Sequence, residues 1–452
     1  MTRRRLAALL LAAACTSAVP APSPTVTPIP ISGSGARPAP RRPNAPPPAS
    51  ARPGTSGSVG ASTNVKDVGE ATIRVLLSKN ATPVRVGAPG GLLLTDRDGA
   101  LVARAGRGET WRIEHELRRV RAVRPDGVPT AWTEPPLIAR PLEGSLATVS
   151  GRPYRGDLAF YGADDGVMTV NVVAIDDYLR GVVPLEIGTR DRRDSAAVQA
   201  QAVTARSYAY THLSTEPGRE YDVTSGVQDQ VYGGVGAETP VASEAVESTR
   251  TLVLSYAGRV VNAPYHSTCG GSTAAASEVW HSPDEPYLRP VSDQIPGTNR
   301  YYCDIAPRFR WTRTIDGAHL NAAVERYLAE YAAVPGRNPG KVQNVSVGSL
   351  TRSGRVGTLT ITTDRGNFVL RGNDIRYVLR DPGGEILNST LFTVESVTDM
   401  DGALARLVIR GNGYGHGVGM CQWGAIGRAR AGQDFRTILR TYYPGTTVGP
   451  AE

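Results

Sequence analysis

Residues 411–419 read GNGYGHGVG, with a glycine at every second position. Glycine permits positive φ and close approach of the backbone, so whatever surrounds this segment lies against nearly bare main chain. Two arrangements satisfy that demand. An extended ligand can run along the backbone, or a tightly wound structural loop can carry His416 toward the interior. A Walker loop is excluded because its lysine and Ser/Thr are missing, and the spacing is not that of a dinucleotide fingerprint.

The chain has 452 residues, enough for two or three domains. Its start, MTRRRLAALLLAAAC, places three arginines before an apolar run from Leu6 to Ala14. That is the pattern of an export signal, too short to span a bilayer. Small residues ahead of Cys15 give it the form of a lipoprotein cleavage site. Residues 1–15 are therefore expected to be a signal and Cys15 a lipid anchor, which places the protein in the cell envelope, membrane-anchored or else periplasmic or secreted. Residues 16–66, as in PAPRRPNAPPPASARPG, are too rich in Pro, Ser and Ala to bury a core and read as a disordered tether of roughly 40 Å. The net charge of +8 is spread over arginines without a lysine-rich block. It suits an anionic envelope polymer and does not indicate nucleic acid.

From 67 to 145, partly alternating stretches such as ATIRVLLS, with turn signals APGG and DRDG, predict a small β-rich region. From 146 to 450 strands and helices mix. GVMTVNVVAI is a strand. A short helix capped by Asp176 or Asp177 is expected to stop at Gly181, and a longer one, capped by Asp194 or Ser195, to run from 195 to 213. On the latter, Val198, Ala202, Ala205 and Ala209 form an apolar face beside one that carries Arg206. RTLVLSYAGRVVNAPY and VGTLTITTDRGNFVLRG are hairpins, GAHLNAAVERYLAEYAA an amphipathic helix, and two short helices precede YYPGT. No regular βαβ period appears, so the fold class is α+β rather than a doubly wound sheet.

Glu186 lies in VVPLEIG, an apolar setting that disfavours the ionised carboxylate and raises its pKa, as a general acid near neutral pH requires. A structural glutamate at a strand end, reaching solvent or an arginine, is the other reading. Arg206, flanked by alanines, needs an acceptor: a buried carboxylate or a substrate group. HSTCGG offers His266 and Ser267, whose adjacency does not give the geometry of a serine hydrolase. In an oxidising compartment Cys269 and Cys303 are the preferred disulfide, with zinc on His266, Cys269 and Cys303 as the alternative.

IDDYLRGVVPLEIG, SAAVQAQAVTARSYAY, YHSTCGGSTAAASEVW and GNGYGHGVGMCQWGAIGRARAGQDFRTILRTYYPGT follow one another in an order that resembles the SpoIID/LytB family of bacterial cell-wall proteins. The resemblance runs from about residue 70 to 447. It implies a mixed sheet with helices around a glycan groove, and it implies lytic transglycosylase activity on denuded peptidoglycan strands, or else a glycan-binding amidase enhancer without catalysis. Glu186 and Arg206 match the family's catalytic glutamate and arginine; His266, Ser267, His416 and Gln422, with Tyr414, match its substrate-side positions. Peptidoglycan, an amidase and, through the lipid, a membrane are the implied partners; nucleic acid is not. No cofactor is implied. Some members bind zinc through a histidine and two cysteines, but the spacing here differs, so no metal is carried over. Cys421 stands where serine is common.

Overall fold

Strict alternation builds the first core. In Thr110–Glu116, Trp111 and Ile113 are buried while Thr110 and Arg112 are exposed, the two-residue period of a half-buried strand. The computed structural model describes residues 71–400 and 402–450; the signal at 1–15, the anchor Cys15 and the tether at 16–66 lie outside them. Two sheets share this core. One has seven strands in the order Val223–Thr224, Thr72–Ala81, Gly166–Ala174, Asp157–Ala163, Leu137–Pro141, Leu92–Thr95, Leu101–Ala105. The other has five: Arg119–Val123, Thr110–Glu116, Val84–Gly87, Ala147–Val149, Arg152–Tyr154. Val86, Leu94, Trp111, Leu137 and Phe160 pack between them. The larger sheet thus draws strands from both sides of residue 145.

A helical layer forms the second core. Helix α1 (Ile175–Ile187) follows directly on a central strand, and α2 (Ser195–His212) packs across it and against α3 (Pro240–Ser248). Helix α1 does not stop at Gly181 as the sequence predicts; it continues through Gly181, Pro184 and Glu186 to Ile187. Gly181 serves instead as a contact. A Cβ there would stand 2.7 Å from the Tyr232 ring and 2.9 Å from the Gly234 carbonyl oxygen. Helix α2 is buried on more than its expected alanine face, with Gln201, Thr204, Arg206 and Ser207 also enclosed, because its small residues let neighbours approach from several sides. Asp194 does not cap α2 with its side chain; its carboxylate holds Arg430, Nε to Oδ1 at 2.7 Å.

Between HSTCGG and the glycine run the chain makes a third core. Two three-stranded antiparallel sheets, one of Arg310–Asp316, Leu404–Asn412 and Phe392–Thr398 and one of Val342–Leu350, Val356–Thr363 and Gly366–Arg371, enclose it with the helix Gly317–Tyr327. Among the described strand pairs only two are parallel, and helices and sheets segregate as the α+β class requires.

Candidate active site at the end of helix α1

The glycine run is a structural loop. Gly413, Gly415, Gly417 and Gly419 all have positive φ, and a Cβ on each would meet, in turn, the Thr268 carbonyl oxygen at 2.8 Å, His266 Cβ at 2.8 Å, the Arg355 guanidinium at 2.6 Å and the Pro264 carbonyl oxygen at 2.0 Å. The run is wound against the 264–269 segment, and a parallel two-residue pairing of Tyr265–His266 with Met420–Cys421 locks the two together. Of the two arrangements open to this sequence, the protein adopts the second.

That lock aims Tyr265 at Glu186. Glu186 is half-buried in the last turn of α1. Its Oε1 accepts the Val231 backbone N–H at 2.8 Å, and the Tyr265 hydroxyl donates to the same carboxyl. Tyr265 accepts from Gln230 Nε2 at 3.0 Å, and Gln230 Oε1 takes the Tyr178 hydroxyl at 3.2 Å. Burial raises the Glu186 pKa to about 7; the two hydrogen bonds oppose that rise without cancelling it. No cation is among the groups that act on it. At neutral pH the group therefore exists in both forms, able to give a proton and take one back. The segment bearing Val231 is seated by Gly181, whose carbonyl accepts the Gly233 N–H at 3.1 Å. The glycine inside α1 thus positions a donor for the acid one and a half turns later.

Arg206 is not in this site. It is fully buried, and its donors are taken by Asp176 Oδ1 at 2.9 Å and by the carbonyls of Val246, Thr249 and Leu252. It ties α1, α2, α3 and the strand after them into one body, so the expected catalytic role is corrected to a structural one. His266 and Gln422 are likewise enclosed. His266 donates from Nδ1 to the Val418 carbonyl at 3.1 Å, leaving Nε2 buried without a partner; Gln422 Nε2 donates to Gln201 Oε1 at 3.2 Å. Both side chains are buried and engaged within the protein rather than presented at its surface. Ser267, Tyr414 and His416 are half-buried. Ser267 accepts the Trp423 N–H on its carbonyl. The Tyr414 ring lies under Arg308, 4.3 Å from its guanidinium. His416 accepts the Val418 N–H on Nδ1 at 3.1 Å, and its ring stands 5.4 Å from that of His266. Burial depresses both histidines, that of His416 to about 3, so both are neutral.

Sequence reasoning missed two groups at this end of α1: Tyr265, which acts on Glu186, and Arg190, which donates to the Ile187 carbonyl and lies 4.8 Å from the Trp423 ring. Tyr265 immediately precedes HSTCGG, and only the pairing with Met420 reveals its reach. A separate cleft of about 700 Å³ is lined by Arg310, Trp311, Phe392 and Arg410; its lining includes none of the groups around Glu186.

The cysteine reading also changes. Cys269 and Cys303 are free thiols with sulfurs 3.5 Å apart, not a disulfide. Cys421 joins them, and so does Asp293, all four buried and with one ligand atom from each within 4.8 Å of the others. His266 is not a member, and the expectation of no metal ligand set gives way to a four-residue cluster.

Comparison with known proteins follows these outlines. A family model described as Stage II sporulation protein matches residues 163–256, which hold α1, α2 and Glu186. A second, described as a domain of unknown function (DUF8618), matches 298–419, the stretch that contains the third core. An uncharacterized protein of Brachyspira hyodysenteriae is 31 % identical over 304 residues, 67 % of this chain and 73 % of that protein. The amidase enhancer of Bacillus subtilis is 30 % identical over 310 residues, 60 % of this chain but 40 % of the relative. Stage II sporulation protein D of the same organism is 27 % identical over 299 residues, 63 % of this chain and 77 % of that protein.

Proposed function

The chain belongs to the SpoIID/LytB family, and from that premise we propose that it is a cell-wall lytic transglycosylase with Glu186 as its acid and base. The observation that carries the reading is a half-buried carboxyl with a pKa near 7, fixed by a backbone N–H and a tyrosine and free of any counter-ion. Protonated Glu186 gives its proton to the glycosidic oxygen as the bond from that oxygen to C1 of the muramic acid breaks. The resulting carboxylate takes the proton of the same sugar's C6 hydroxyl, whose oxygen attacks C1 and closes a 1,6-anhydro ring. One proton leaves Glu186 and one returns, and no water is consumed. The nucleophile is already on the sugar, so a single carboxyl does the work that two do in most glycoside hydrolases. Arg190, held to the Ile187 carbonyl at the end of α1, is the guanidinium suited to the lactyl carboxylate of a strand stripped of its peptides.

A second reading is a glycan-binding amidase enhancer, favoured by the Bacillus subtilis relative of that name. Export and lipid attachment at Cys15, with residues 16–66 as a tether, belong to both readings. They are supported by the basic and apolar start of the chain. The deciding experiment incubates purified peptidoglycan, with and without amidase pretreatment, with the wild type and with Glu186→Gln, and reads products by mass spectrometry. Anhydro-ended glycans from the wild type alone, chiefly from pretreated strands, support the transglycosylase. Accelerated amidase release by both proteins, without anhydro ends, overturns it in favour of the enhancer.

A further inference from the structure

We propose that Cys269, Asp293, Cys303 and Cys421 form a structural zinc site that fastens the glycine run and the HSTCGG loop to the rest of the catalytic layer. Such a site is independent of any reaction at Glu186. Tetrahedral zinc with bonds of about 2.3 Å to sulfur sets its thiolates about 3.8 Å apart. Cys269 and Cys303 stand at 3.5 Å, and Asp293 Oδ2 lies 3.8 Å from Cys269 Sγ. Four donors within 4.8 Å of one another enclose one ion and are too close for a multi-iron cluster. Soft thiolates with one carboxylate favour zinc among the common ions.

The surroundings are those of charged sulfur. Cys421 Sγ accepts the N–H groups of Cys269 and Gly424, both at 3.2 Å, and Cys269 Sγ accepts that of Gly271 at 3.4 Å. Asp293 turns its other oxygen to Arg428, at 3.0 Å, and to the Tyr442 hydroxyl, at 2.7 Å. Such outer partners orient ligands in metal sites. Gly424 keeps the space open, since a Cβ there would lie 2.3 Å from Asp293 Oδ2.

The charge count gives a second, independent observation. Arg355 is fully buried beside the cluster, donating to the Cys269 carbonyl at 2.8 Å, yet its Nε and Nη1 have no hydrogen-bond partner. A buried guanidinium without nearby anions is costly. Three thiolates and a carboxylate carry four negative charges, zinc returns two, and Arg355 with Arg428 balances the remainder. A disulfide between Cys269 and Cys303 would remove two of those negative charges and leave the two arginines facing Asp293 and a lone thiol.

The test uses the full chain, purified without reductant and without added metal, with zinc measured by elemental mass spectrometry and thiols counted in denaturant with chelator. One zinc per chain and three thiols at 269, 303 and 421 are expected. Cobalt(II) exchanged into the protein should give tetrahedral visible bands with thiolate charge transfer. Cys303→Ala should lose at least nine-tenths of the zinc, and Cys303→His, which offers a ring nitrogen but cannot form a disulfide, should keep it. If Cys303→Ala fails to fold, Arg355→Met tests the same site from the outer partners, with a zinc affinity expected to fall about 10- to 100-fold. An unreduced mass lower by two hydrogens, with 269 joined to 303 and no bound metal, overturns the site. So does a folded Cys303→His without zinc. Neither result bears on anhydro-sugar release by the wild type.

Discussion

Helix α1 carries a carboxylate at each end, and the two are opposites. Asp176, in the first turn, meets Arg206 at 2.9 Å inside the helical core. Glu186, in the last turn, meets a main-chain N–H and a tyrosine but no cation. The helix is the same, and so is the strand–helix scaffold that holds it. What separates them is a counter-ion, present at Asp176 and absent at Glu186. A buried carboxylate paired with a guanidinium fastens elements together; an unpaired, half-buried one has its proton held near neutral pH. The guanidinium that looked catalytic in the sequence belongs to the first of these, and the acid that looked structural or catalytic belongs to the second.

Breaking each end separately should give opposite phenotypes. Glu186→Gln keeps the shape and removes the titrating proton, so anhydro-glycan release is expected to fall by about 10³-fold or more, with the thermal midpoint nearly unchanged. A collapsed midpoint in a scan of that variant would place Glu186 with Asp176. Arg206→Met leaves Asp176 buried without its partner and should lower stability by roughly 3–5 kcal/mol, read by urea unfolding; a loss of activity in a fully stable Arg206→Met would return the arginine to the site. Gly181→Ala forces a Cβ into the Tyr232 ring and should displace Val231 from Glu186. A several-fold loss of turnover, with little change in strand binding, is the expected outcome.

The pH dependence sharpens the contrast further. Activity that needs protonated Glu186 should decline as pH rises through about 7. Because the folded-state pKa is raised, the carboxyl's linked contribution to stability is fully present below its unfolded value near 4.3 and is lost as pH climbs to about 7. Glu186→Gln should therefore lose less stability than the wild type between pH 5 and pH 8 in parallel unfolding curves. Tyr265→Phe gives the smallest effect. It removes a hydrogen bond that favours the carboxylate, so the descending limb should move to higher pH by a fraction of a unit, and a shift to lower pH would contradict the assigned contact.

Local pattern by itself determined a good deal of this protein. The hairpins at 252–260 and 356–371 and the two C-terminal helices follow from spacing and turn residues, because their causes lie within a few residues. Glu186 was visible as an acid in an apolar stretch, and the glycine run as backbone that something must touch. What touches it was not visible. Tertiary structure decided that His266 and Arg355 fill those spaces, that Gly181 is a docking surface rather than a helix stop, and that Arg206 pairs with Asp176 thirty residues earlier. It also gathered Cys269, Asp293, Cys303 and Cys421, which no local spacing connects. The physical reason is the same in each case. Conformational preference is short-ranged and written in neighbouring residues, whereas burial, charge pairing and ligand geometry depend on which distant segments the packed cores bring together.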